Sequence, residues 1–183
     1  PLYILVRPFS APLPAFLAAF LRLLTMFFTQ SINEPIPPLN APKGLTIVND
    51  KLYAADVDEL VEIEISSGKI TNKFKAYGAV CLNDATHDEY GNVYVGDTYN
   101  DTIYRLNQFG QLPSWFYSPQ LAPNGLHYDT ENKSIVVGSW GAVMEGWGTP
   151  ELQGNLKSVN IHYKEIKNLG KKPIGNLDGV ANK

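Results

Sequence analysis

Past residue 40 the sequence repeats about every 41 residues, and this period limits the available folds more than any other feature. The stretch GLTIVNDKLYAADVDELVEIEISSGKI begins at Gly44, NDATHDEYGNVYVGDTYNDTIYRLNQFGQL at Asn83, and NGLHYDTENKSIVVGSWG at Asn124. Aligned, they place Tyr53, Tyr94 and Val136 in register, 41 and 42 residues apart, with Asp56, Asp97 and Ser139 at the same spacings. The turn glycines Gly68 and Gly110 lie 42 apart.

Each unit reads as four short strands, in the second unit over about 83–87, 92–96, 102–106 and 112–117. NVYVG and TIYRL alternate with period two, as half-buried strands do. The separators EYGN, TYND and QFGQ hold the Gly, Asn and Asp that turns favour. No segment past residue 40 sustains helical spacing for three turns. Four-stranded units of this length are the period of β-propeller blades. The expectation is an all-β fold: a partial propeller of about three blades, over 41–81, 82–122 and 123–175, with 176–183 opening a fourth. Propellers close with four to eight blades. The sequence therefore reads as a piece of a longer protein, its open sheet faces covered by missing blades or by self-association.

Residues 1–39 differ in kind. Seven of the 13 prolines fall within 1–38, where Arg7, Arg22 and Glu34 are the only charges. The run FSAPLPAFLAAFLRLLTMFF at 9–28 is almost wholly apolar. It reads as an export signal, as a membrane anchor or as a non-native leader, with PIPP at 35–38 as linker. An export signal would place the protein in the periplasm or outside the cell; without one the expectation is cytoplasmic. Membrane contact is expected only if the leader is an uncleaved anchor.

The formal charge of −3 argues against nucleic acid as a partner, since phosphate backbones select an excess of Lys and Arg. One cysteine, Cys81, excludes an internal disulfide and any multi-cysteine zinc site. Cys81 reads as a small core residue, His87 as solvated, His127 as a core histidine or a channel-facing one, and His162 as a turn residue.

Chemistry is expected on one face. In an up-and-down meander, the loops entering each first strand share a face with the loops joining the second and third strands. The residues entering first strands are Lys43, Asn83, Asn124 and Asp178, spaced 40, 41 and 54 apart. The long last interval comes from an insertion, SWGAVMEGWGTPELQ (139–153), over the same face. Trp140 and Trp147 in it can stack on a ring substrate or cap a blade. Amide and carboxylate oxygens suit a hard cation such as calcium, while Asn and Asp before Gly are also ordinary turn residues.

LND at 82–84, PNGL at 123–126 and LDGV at 177–180, each at a blade start, resemble the senescence-marker-protein, gluconolactonase and luciferin-regenerating-enzyme family of six-bladed propellers. GNVYVGDTYNDTIYRL also resembles an NHL repeat. The resemblance covers about 41–183. It implies a divalent metal, calcium or zinc, in the central channel, with Asn124 and Asp178 as ligands and Asp178 also assisting proton transfer. It implies contact of Asn83 with substrate or metal-bound water, and hydrolysis of lactones or related esters; Trp140 is the residue-based candidate for stacking on that substrate. The alternative is a non-catalytic NHL-type propeller that binds a protein or glycan. Two departures stand out. The family's glutamate ligand has no counterpart, and Cys81 stands where substrate-binding members often carry Arg. The chain alone is expected to be inactive.

Overall fold

A computed structural model describes residues 2–6, 39–141 and 153–182. All regular structure among them is β: β1 (Leu2–Val6) and three four-stranded antiparallel sheets. The first sheet is β2 (Pro42–Val48), β3 (Lys51–Asp56), β4 (Glu59–Glu64) and β5 (Ile70–Lys75). The second is β6 (Leu82–His87), β7 (Val93–Asp97), β8 (Thr102–Arg105) and β9 (Ser114–Tyr117). The third is β10 (Pro123–Asp129), β11 (Ser134–Ser139), β12 (Leu156–Asn160) and β13 (Ile166–Asn168). A last strand, β14 (Leu177–Asn182), follows. In each four-stranded sheet neighbours in space are neighbours in sequence, the meander of a propeller blade. The chain is thus a partial propeller of three blades.

Period-two alternation explains the packing. In β7, Val93 and Val95 face the first blade, joining Tyr53, Ala55 and Leu60 in one buried seam. Tyr94, between them, faces the third blade, where it packs with Ile135, Val137 and Val159. The second blade is therefore covered on both sides, which is why VYVGD is buried throughout. Trp115 sets its ring edge-on to Tyr94 at 5.0 Å between centroids. Val136 turns the other way, toward Leu177 of β14.

The repeated aspartates close each blade at one end. Asp56 accepts the backbone amides of Asn40 and Ala41, at 2.9 and 2.6 Å. Asp97 accepts those of Val80 and Cys81, at 2.7 and 3.0 Å. Each carboxylate ties the end of a second strand to the chain entering the first. The third blade has Ser139 in that position, and there Asp101 of the second blade accepts the amide of Ala122 at 2.8 Å. Gly68 and Gly110 both hold positive φ, 68° and 71°, in the turn between third and fourth strands, a conformation that side chains disfavour.

The first strands stand side by side, β2 against β6, β6 against β10 and β10 against β14. They form the inner arc, facing the channel. Most of the expected leader lies outside the described residues, but Leu2–Val6 does not stand apart from the fold. It pairs antiparallel with β14, Leu2 opposite Asn182 and Val6 opposite Leu177. The physical reason is that β14, the only strand of its blade among the described residues, offers an open ladder of backbone groups. Local periodicity carries no sign of such a distant partner.

Candidate functional site

Each inner strand presents its second residue to the channel mouth: Lys43 in β2, Asn83 in β6, Asn124 in β10 and Asp178 in β14. The pairing register of each of the three full blades slips at this point, between Pro42 and Leu45, Leu82 and Ala85, and Pro123 and Gly125. A bulge adds a residue to one strand and re-aims its side chain. Here the repeated bulge turns Lys43, Asn83 and Asn124 toward the space that Asp178 also lines. All four line a cavity of about 180 Å³ together with Cys81, Thr98, Tyr99 and Trp140.

Asn124 is the hub, buried to 2% exposure. Its side-chain nitrogen donates to the carbonyl of Leu177 at 3.0 Å and to Asp178 Oδ1 at 3.1 Å. Its Oδ1 accepts from the Asn83 amide and from the Thr98 hydroxyl, the latter at 3.3 Å. Thr98 also reaches the Pro123 carbonyl at 2.9 Å and accepts from Asn83 Nδ2 at 3.1 Å. Asn83, Asn124 and Asp178, which are 41 and 54 residues apart in sequence, thus form one hydrogen-bonded chain across three inner strands. Trp140 is placed beside them by two backbone contacts: its amide donates to Ala122 at 2.9 Å, and its carbonyl accepts from Asn176 Nδ2 at 2.5 Å. Trp147 and most of the 139–153 insertion lie outside the described residues.

The set makes a poor divalent-cation site as it stands. Calcium takes six to eight oxygens, and the cavity-lining side chains supply one carboxylate, two amides and two hydroxyls, those of Thr98 and Tyr99. Both partners of Asn124 Oδ1 would have to move. The Lys43 ammonium lines the same cavity. No cluster of three or more His, Cys, Asp or Glu suited to a metal occurs among the described residues.

Asp84, next to Asn83, went unnoticed in the sequence. The three residues in register with it are glycines, Gly44, Gly125 and Gly179. A Cβ built on Gly44 would come within 2.3 Å of Asp84, so the inner strands meet here almost backbone to backbone. The Asp84 carboxylate accepts from the amides of Leu126 and Ala85, at 2.7 and 2.9 Å. Burial pushes its carboxyl up to about 7 against those two hydrogen bonds, and the Asp178 charge adds to the rise. It is not among the cavity-lining residues. The signal that would have found it is a carboxylate at a position where every other repeat has glycine.

Cys81, expected in the core, is half-buried and lines the cavity. Burial raises its thiol above the ordinary range, opposed by the charge of Lys43. His87 is exposed and meets the Thr46 hydroxyl at 2.7 Å. His127 is half-buried outside both the cavity lining and the core clusters, and burial lowers its pKa. His162 lies in an exposed turn.

No protein-family model matches the sequence, and no curated protein matches it. Solved structures do match by shape. Virginiamycin B lyase from Staphylococcus aureus, in an inactive variant with quinupristin, superposes with a TM-score of 0.59 at 15% identity. That match covers 76% of this chain and 44% of the lyase chain. A nidogen/laminin complex gives 0.63 at 15%, covering 78% of this chain and 52% of the other. The computationally designed protein Ika4 gives 0.57 at 13%, covering 83% and 88%. The lyase and nidogen matches are propeller proteins, and the likeness shows the fold. The chain spans about two fifths of the lyase.

Proposed function

We propose that the channel mouth is a small-molecule site and that its ligand is a lactone or a related small ester, hydrolysed in the completed ring. The observation that carries this reading is the convergence of Asn83, Asn124 and Asp178 on one cavity wall, with Trp140 beside them. A cavity of about 180 Å³ suits a ligand of one small ring. The Asn83 side-chain oxygen can hold an attacking water, the Asp178 carboxylate can take its proton, and the Trp140 ring can cover the ligand's carbon face. The resemblance to gluconolactonases supports the same chemistry. Calcium or zinc, which that resemblance brings with it, would find only Asn124 and Asp178 as ligands here, and no step is derived through a metal.

The test is titration of the 183-residue chain with γ-butyrolactone and δ-gluconolactone, followed by backbone NMR, with and without calcium or zinc. The reading expects shifts centred on Asn83, Asn124 and Trp140, weakened by Asp178→Asn. A chain that binds neither lactone is not a lactone hydrolase. The second reading, a propeller that binds a macromolecular partner without catalysis, draws on the Asn124 amide, whose oxygen and nitrogen are both engaged by the protein itself.

A further inference from the structure

We propose that the cavity takes a small hydroxycarboxylate, with Lys43 anchoring the carboxylate and Asp178 accepting the hydroxyl. The inference rests on the lactone reading only for the origin of that ligand; the recognition follows from the cavity itself. The four ring residues are an ammonium, two amides and a carboxylate, delivered by equivalent positions of four inner strands. Among the described residues the Lys43 side chain makes no ion pair and no hydrogen bond, and it lines the cavity beside Cys81, on which its charge acts. The two amides are locked between the charged ends, Asn83 to Asn124 and Asn124 to Asp178. The cavity is therefore bipolar: a cationic donor at one end, a carboxylate acceptor at the other, and an amide bridge between.

Each simpler ligand leaves part of this unmatched. A divalent cation meets the Lys43 ammonium and too few free oxygens. An acid lacking a hydroxyl places nothing against Asp178. A neutral ring leaves the three donors of Lys43 without a charged acceptor. A hydroxy acid answers both ends, and its carbon chain lies between Tyr99 and Trp140, which line the same space. Lactone hydrolysis makes such a molecule. Water adds its oxygen to the acyl carbon and the acyl–oxygen ring bond breaks. The ring oxygen leaves as a hydroxyl, and the new acid releases its proton to solvent. The product then carries a carboxylate and a hydroxyl, the two groups that the cavity ends accept. Lys43 is thus a specificity residue, and product retention follows from the same contacts.

The experiment is calorimetric and NMR titration of the 183-residue chain with 4-hydroxybutanoate, butanoate and γ-butyrolactone. The hydroxy acid is expected to bind tightest of the three, more weakly as salt is raised. Lys43→Met should weaken it about 1.5- to fivefold, the range for an exposed charge pair. Lys43→Arg should restore most of the loss, and Asp178→Asn should erase the preference over butanoate. The proposal is overturned if 4-hydroxybutanoate does not bind, if Lys43→Met leaves its affinity unchanged, or if calcium competes with it for the site. Hydroxy-acid binding with no binding of any lactone would sink the hydrolase reading and leave the anchor standing. Lactone binding with Lys43-independent hydroxy-acid affinity would do the reverse.

Discussion

The Asp84 carboxylate accepts the backbone amide of Leu126 at 2.7 Å, joining β6 to β10 across the seam between the second and third blades. Beside it, on the same strand, Asn83 reaches Asn124. One strand thus contributes both the visible wall of the cavity and the bond that holds that wall to its neighbour.

The Asp84 carboxyl, raised to about 7 in the folded chain, titrates near 4 when unfolded. Between those values the folded state holds the extra proton, so this group's contribution to stability falls as pH rises through the window and is flat above it. The thermal midpoint of the parent chain should therefore fall, relative to Asp84→Asn, from about pH 4 to pH 7. Paired melting curves across that range check this. A difference that does not change with pH would show that Asp84 ionises normally.

Asp97 accepts three backbone amides, Val80, Cys81 and Tyr99, and is fully buried. Asp97→Ala leaves all three donors without their acceptor. It should cost about 2–4 kcal/mol in urea unfolding, with hydrogen exchange rising first at residues 80–81. A loss below about 0.5 kcal/mol would mean that water replaces the carboxylate easily.

A methyl group on Gly125 would lie 2.7 Å from the Cα of Gly179 and 2.9 Å from the backbone nitrogen of Val180. Backbone cannot yield as a flexible side chain can. Gly125→Ala should destabilise the chain by about 1–3 kcal/mol and shift the NMR signals of β14. Unchanged signals at residues 177–180 would contradict the close approach of β10 and β14.

Val57, in the turn between β3 and β4, has φ of 59°, where a β-branched side chain crowds its own backbone. Val57→Asn should stabilise the chain by about 1 kcal/mol. The position is 36% exposed, so little packing is lost. Denaturant midpoints measure the change, and a loss of stability would mean that the valine contacts outweigh the strain.

The propeller class was legible because blades repeat: Tyr53 and Tyr94 recur at second strands, and Gly68 and Gly110 recur at positive φ in equivalent turns. The ring of Lys43, Asn83, Asn124 and Asp178 was legible for the same reason, since residues entering successive first strands take equivalent positions around the axis once the 139–153 insertion is allowed for. What their side chains do to one another was not. The hydrogen bonds from Asn83 to Asn124 and from Asn124 to Asp178 depend on bulges that re-aim the side chains, and a bulge adds no distinctive residue. Cys81 looked like core because its neighbours are apolar, yet it precedes a bulge and faces the cavity. The partner of β14 was hidden by distance, because pairing between far ends of a chain leaves no local pattern.

That pairing bears on how the molecule reaches its native state. Leu2–Val6 and Leu177–Asn182 lie far apart in sequence, so the contact between them closes a long loop. Each four-stranded sheet, by contrast, joins neighbours in sequence and can zip locally. The three blades should therefore form first and β1 should dock last, leaving β14 with a bare edge in the interval. It is during that delay that these residues are most exposed to strand exchange with another copy.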